Sequence, residues 1–106
     1  MAELPDVQWC VLDILMRAKQ KGIIKVNRHE MLYSEGLPAA IRAQLVFNAL
    51  LMSNGELIRL VGADFEITEK GAQTYNLKFG KRGEMPEPTK IGDLVIALPD
   101  RSEVLQ

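Results

Sequence analysis

Cysteine and histidine each occur once in the 106 residues, and each scarcity excludes something. Cys10 alone cannot close an internal disulfide. His29 has no companion cysteines, histidines or carboxylates at ligand spacing, so neither a metal site nor a cofactor is expected. No apolar run approaches the roughly 20 residues needed to cross a bilayer. No basic start followed by an apolar stretch and a cleavage site stands at the N-terminus, so the chain reads as cytoplasmic with no membrane partner. G-x-S-x-G, P-loop and G-x-G-x-x-G patterns are missing, and the glycines stand singly at turn positions. Asp64, Glu66 and Glu69 lie close together without a neighbouring base, nucleophile or metal ligand. No catalytic residue, enzymatic activity or small-molecule ligand is therefore expected.

What is present is the material of one globular domain. Apolar residues make up 47% and charged residues 25%, and a chain of this length buries roughly 60–70% of its unfolded surface. The net charge is −1, but it is unevenly spread. Arg17, Lys19, Lys21, Lys25 and Arg28 follow one another before Glu30, whereas 84–106 is acidic. A basic end beside an acidic tail fits either a nucleic-acid face or an ordinary solvated surface.

Apolar residues at 7, 11, 14, 15 and 18 follow the spacing of an amphipathic helix that stops at Gly22, with Cys10 in its core. Asp13 and Arg17, four apart, are expected to form a weak ion pair on its exposed face. A short β-prone run, Ile23-Ile-Lys-Val26, precedes a second helix over 28–34, capped by Asn27 and stopped at Gly36, with His29 exposed in its first turn. The strongest helix follows over 37–54, with Pro38 in its first turn and Asn54-Gly55 at its end. Two helices joined by a short turn make a helix-turn-helix pattern. Leu57-Ile-Arg-Leu-Val61 and Phe65-Glu-Ile-Thr68 read as a hairpin around Gly62-Ala-Asp64. Thr68 caps a last helix, 69–77. Residues 1–83 thus read as one domain. Residues 84–106 form a tail with a Met85-Pro-Glu-Pro88 linker and an apolar, strand-like run at 91–98. The fold class is α+β, mostly α.

Trp9 within Gln-Trp-Cys-Val-Leu-Asp-Ile-Leu, Gly36-Leu-Pro, Asn54-Gly-Glu-Leu-Ile-Arg-Leu and Phe65-Glu-Ile-Thr-Glu-Lys-Gly together resemble a winged helix. The last stretch is similar to the tyrosine-x-leucine-threonine-x-x-glycine signature of bacterial MarR-, PadR- and penicillinase-repressor-type regulators. The resemblance covers about three quarters of the chain and rests mainly on scaffold positions. It implies a three-helix core, a two-stranded wing and a recognition helix in the DNA major groove. Base readers would then come from Ala39, Ala40, Arg42, Ala43, Gln44 and Asn48. The third helix departs from that pattern. Arg42 is its only charge, and Val46, Phe47, Leu50 and Leu51 add to the stripe Ile41, Leu45, Ala49, Met52. A helix apolar nearly all round is normally buried. Asp64 and Glu66 put the wrong sign at the wing tip for phosphate.

Two functions follow. One is a small, dimeric DNA-binding transcription regulator that grips double-stranded DNA with Arg17, Lys21, Lys25, Arg28, Arg42, Gln44, Asn48, Lys78, Lys81 and Arg82. Tyr75 and Phe79 beside these last cations also fit base stacking, although an inward-packed Tyr75 is the simpler expectation. The other is a protein-interaction module, self-associating or adaptor, that uses Phe47, Leu50 and Leu51 with Ile91, Leu94 and Ile96. In that reading the tail adds a strand to the hairpin, covers the third helix or exchanges with a second copy.

Overall fold

The computed structural model describes residues 4–32, 39–80, 89–91 and 94–96. The elements are α1 (Asp6–Gln20), β1 (Val26–Asn27), α2 (Arg28–Leu32), α3 (Ala39–Met52), β2 (Ile58–Val61), β3 (Asp64–Ile67), α4 (Glu69–Phe79), β4 (Thr89–Ile91) and β5 (Leu94–Ile96). The fold is α+β and mostly helical, with a three-stranded antiparallel sheet in the order β1-β3-β2 and a separate β4-β5 pair. The expected turn at Gly36, Pro38 and the 85–88 linker lie outside the described residues.

Local sequence signals set the element ends. α1 closes in a Schellman motif, with Ile23 N–H donating to the Ala18 carbonyl (2.8 Å) and Gly22 N–H to the Lys19 carbonyl (3.0 Å),. Asn27 Oδ1 caps α2 by accepting from the His29 backbone N–H at 2.8 Å,. The β-prone run at 23–26 yields only the short β1, because Val26 and Asn27 alone find partners, opposite Phe65 and Asp64; Ile24 stays 64% exposed. In the hairpin, Asp64 belongs to β3 and pairs with Val61, which tightens the loop to Gly62-Ala63. Gly62 has φ +64°, the positive φ a two-residue hairpin loop needs at its first position.

α1 occupies the centre. Every residue from 9 to 18 is buried, and α3, α4, β3, β4 and β5 all lie against it. Burial on all sides includes Asp13 (0% exposed) and Arg17 (4%), so the expectation that this pair sits on a solvated face is corrected. Arg17 Nε donates to Asp13 Oδ2 at 2.7 Å, and the Tyr75 hydroxyl of α4 donates to Asp13 Oδ1. Cys10 is fully buried. Burial, reinforced by the charges of Asp13 and Asp6, pushes its thiol up to about 12, so it is a core residue and not a reactive one.

The second joint ties the β2–β3 hairpin to α4. Thr68 Oγ1 accepts from the Gly71 backbone N–H at 3.0 Å and donates to the Leu57 carbonyl at 3.0 Å. Thr68 N–H also donates to the Leu57 carbonyl. An exposed Lys70–Glu56 ion pair bridges the same elements, and the hydrogen bond from Lys70 holds the Glu56 carboxyl below its ordinary range. The threonine-x-x-glycine spacing thus has a steric reason. A Cβ at Gly71 would fall 2.1 Å from the Leu57 carbonyl oxygen and 2.9 Å from Ile67 Cγ1.

Gly71→Ala sets two effects against each other. Helix propensity alone favours alanine by roughly 1 kcal/mol, whereas forcing a methyl into packed backbone costs about 3 kcal/mol. Urea denaturation is expected to show a net loss of about 2 kcal/mol; an unchanged or raised midpoint would contradict this packing.

Candidate interaction surface

α3 lies against α1, α2 and β2 on one side only. Leu45, Ala49 and Met52 are buried there, with Ile41 half-buried beside them. Ala40, Ala43, Gln44, Phe47, Leu50 and Leu51 are exposed. Their spacing of three and four residues places them on one outward stripe. Phe47 is 62%, Leu50 41% and Leu51 51% exposed. α1 takes the centre, and α3, although apolar nearly all round, is buried on one side and keeps the other in solvent. Complete burial of a Leu or Phe is worth roughly 1.5–3 kcal/mol, and a large part of each of these three remains to be gained. A contiguous apolar patch of this kind marks a contact surface more often than ordinary protein exterior.

The stripe carries no charge. Arg42, the single cation of α3, is half-buried on its flank. Asn48 is half-buried and held within the fold: its Nδ2 donates to the Gln44 carbonyl at 2.8 Å. Its Oδ1 accepts from Gln8 Nε2 of α1 at 3.3 Å. Of the base-reader positions, Ala39, Ala40, Ala43 and Gln44 face solvent, and Gln44 alone among these offers a polar side chain.

The basic run is shorter in space than in sequence. Arg17 is withdrawn into the core by Asp13, so it cannot reach phosphate, and its place among the candidate DNA contacts is corrected. Lys21, Lys25 and Arg28 are exposed. Lys78 is exposed, but its ammonium stands 5.0 Å from the centroid of the Trp9 ring, a cation–π contact that caps the core. Tyr75 is fully buried and stacks on Phe79 at 4.7 Å, while Phe79 meets Trp9 edge-on at 5.7 Å. Tyr75 packs inward as expected and Phe79 packs against the core, so the alternative of base stacking by these rings is set aside. Lys81 and Arg82 lie outside the described residues.

The hairpin tip is acidic, as the sequence indicates. Asn27 Nδ2 donates to Asp64 Oδ1 at 3.1 Å, and Glu66 stands opposite Arg59 in the ladder. The tail departs from two of its expected roles. β4 and β5 pair with each other, Ile91 opposite Leu94 and Thr89 opposite Ile96, and lie against α1. They form no strand of the β1-β3-β2 sheet, and they leave Phe47, Leu50 and Leu51 exposed. Among the described residues no group of three or more histidines, cysteines or carboxylates is placed to hold a metal, and no helix is long and apolar enough to cross a membrane.

No protein-family model, curated protein or solved structure matches the chain.

Removing one partner from a buried ion pair leaves the other charge uncompensated, at a cost of roughly 3–5 kcal/mol, whereas an exposed i,i+4 pair is worth about 0.5 kcal/mol or less. Arg17→Ala is therefore expected to cost about 3 kcal/mol or more in chemical denaturation. A loss below about 0.5 kcal/mol would mean that the pair is solvated after all.

Proposed function

We propose that this chain is a winged-helix-like protein-interaction module whose contact surface is the outward face of α3. The observation that carries the reading is the uncharged stripe Ala40, Ala43, Gln44, Phe47, Leu50, Leu51, exposed on a helix whose opposite side is anchored in the core. The succession α1, β1, α2, α3, hairpin, α4 supports the winged-helix part. The stripe supports the protein-contact part, because interface cores are depleted in charge and rich in large apolar and aromatic side chains. Thr68 and Gly71 act in this reading as scaffold, fixing the hairpin to α4.

DNA binding is the competing reading. It retains Lys21, Lys25 and Arg28 as exposed cations, but loses Arg17 to the core. It also sets an apolar helix face where base-reading side chains are needed and an acidic hairpin where phosphate would approach.

Fluorescence anisotropy with mixed-sequence duplex DNA at 50 mM and 200 mM salt separates the two. The protein-contact reading expects no saturable binding at 50 mM. Saturable binding that weakens steeply with salt, and weakens further in a Lys25→Glu, Arg28→Glu double variant, would overturn it.

A further inference from the structure

We propose that the occupant of the α3 face is a second copy of this chain, docked by a two-fold, antiparallel α3–α3 contact. The inference rests on the protein-contact reading above and commits it to one partner. Size supplies the first argument. Along the stripe the residues pass from small at the N-terminal end, Ala40 and Ala43, to large at the C-terminal end, Phe47, Leu50 and Leu51. An isologous dimer sets a surface against itself. Positions 40, 44, 47 and 51 are symmetric about the midpoint between Gln44 and Phe47. An antiparallel pair centred there places Ala40 opposite Leu51 and Gln44 opposite Phe47, each contact made twice. Leu51 then fills the space that Ala40 leaves, as close packing of helices requires. A parallel pair would set Phe47 against Phe47 and alanine against alanine, crowding one end and opening the other.

Charge supplies the second argument, and it also selects the antiparallel arrangement. α3 has no acidic residue in its first turn and no basic residue in its last, so no side chain within those turns offsets its dipole. An antiparallel neighbour brings the negative end of one helix beside the positive end of the other. The stripe itself contains no ionised group, so two copies meet without like-charge repulsion. The charged residues nearest in the chain are Arg42 on the flank, Glu35 before the N-terminal end and Glu56 beyond the C-terminal end.

A helix of 14 residues is about 21 Å long. One face of it covers less than the ~800 Å² per partner of a standard interface, so the dimer is expected to be reversible, with a dissociation constant in the micromolar range.

Sedimentation velocity of the full chain from 5 to 500 µM is the test, with Phe47→Glu and Leu77→Glu variants alongside. Leu77 is 72% exposed on α4, outside the stripe, and serves as the control for adding a carboxylate at an exposed apolar position. The wild type and Leu77→Glu are expected to dimerise alike, and Phe47→Glu to weaken association at least thirtyfold while keeping its far-ultraviolet circular dichroism. The arrangement is read by mixing Ala40→Cys and Leu51→Cys chains in a mild thiol–disulfide buffer. Antiparallel docking predicts a cross-linked heterodimer far above the twofold excess over either homodimer that random pairing of an equimolar mixture gives. A chain that stays monomeric at 500 µM, equal weakening by both glutamates, or cross-links dominated by the two homodimers would overturn the proposal. A monomer that also ignores DNA removes only the second copy as partner, whereas salt-sensitive DNA binding removes the protein-contact reading beneath it.

Discussion

Asp13 is the fixed point of this fold. Its two carboxylate oxygens are divided between Arg17 one turn along the same helix and the Tyr75 hydroxyl of α4. A carboxylate and a guanidinium can enter a protein interior only when paired and hydrogen-bonded. That pairing lets an otherwise apolar helix be covered on every side. The tyrosine makes the local pair a tertiary one, since it lies 62 residues away and pins α4 to the central helix. Phe79 and Trp9 extend the same joint through ring contacts, and Lys78 closes it over the Trp9 face.

With α1 in the centre, α3 can be only peripheral. It buries Leu45, Ala49 and Met52 and presents its other side outward. The apolar surface of α3 is thus a consequence of which helix the core selected, and the hairpin joint at Thr68 and Gly71 holds β2 and α4 in place around that choice. The same choice removes Arg17 from the surface. The fold that leaves an apolar face of α3 in solvent also withdraws Arg17 from the basic run, and both observations support the proposed reading.

Much of the local structure was legible in the sequence, because its causes are local. Gly22, Asn27, Thr68 and Gly62 each act through bonds or dihedrals within a few residues, and the order of elements follows from them. Rank among the helices was not. An aspartate four residues before an arginine looks the same on a solvated face as in a core, and only Tyr75 decides the matter. A signal was nonetheless present: 9–12 and 14–16 are uninterrupted apolar runs broken only by Asp13, which is the pattern of all-round burial and not of one face. For α3, Ala43, Phe47 and Leu50 follow the spacing i, i+4, i+7, as Ile41, Leu45 and Ala49 do at i, i+4, i+8. Two apolar stripes on one helix leave open which faces inward until the neighbours are known. The strand-like run of the tail carries a signal of its own. Gly92-Asp93 in the middle of its apolar run is a hairpin signal, and β4 and β5 do pair with each other.

The central claim is that the outward stripe of α3 is where this chain meets protein. Amide chemical shifts of the labelled chain, followed from 20 to 500 µM and then with duplex DNA at 50 mM salt, test it residue by residue. The account predicts concentration-dependent shifts gathered on Ala40, Ala43, Gln44, Phe47, Leu50 and Leu51, with Lys21, Lys25 and Arg28 unmoved by DNA. Shifts that leave α3 untouched on concentration and gather at the three cations on adding DNA would contradict it.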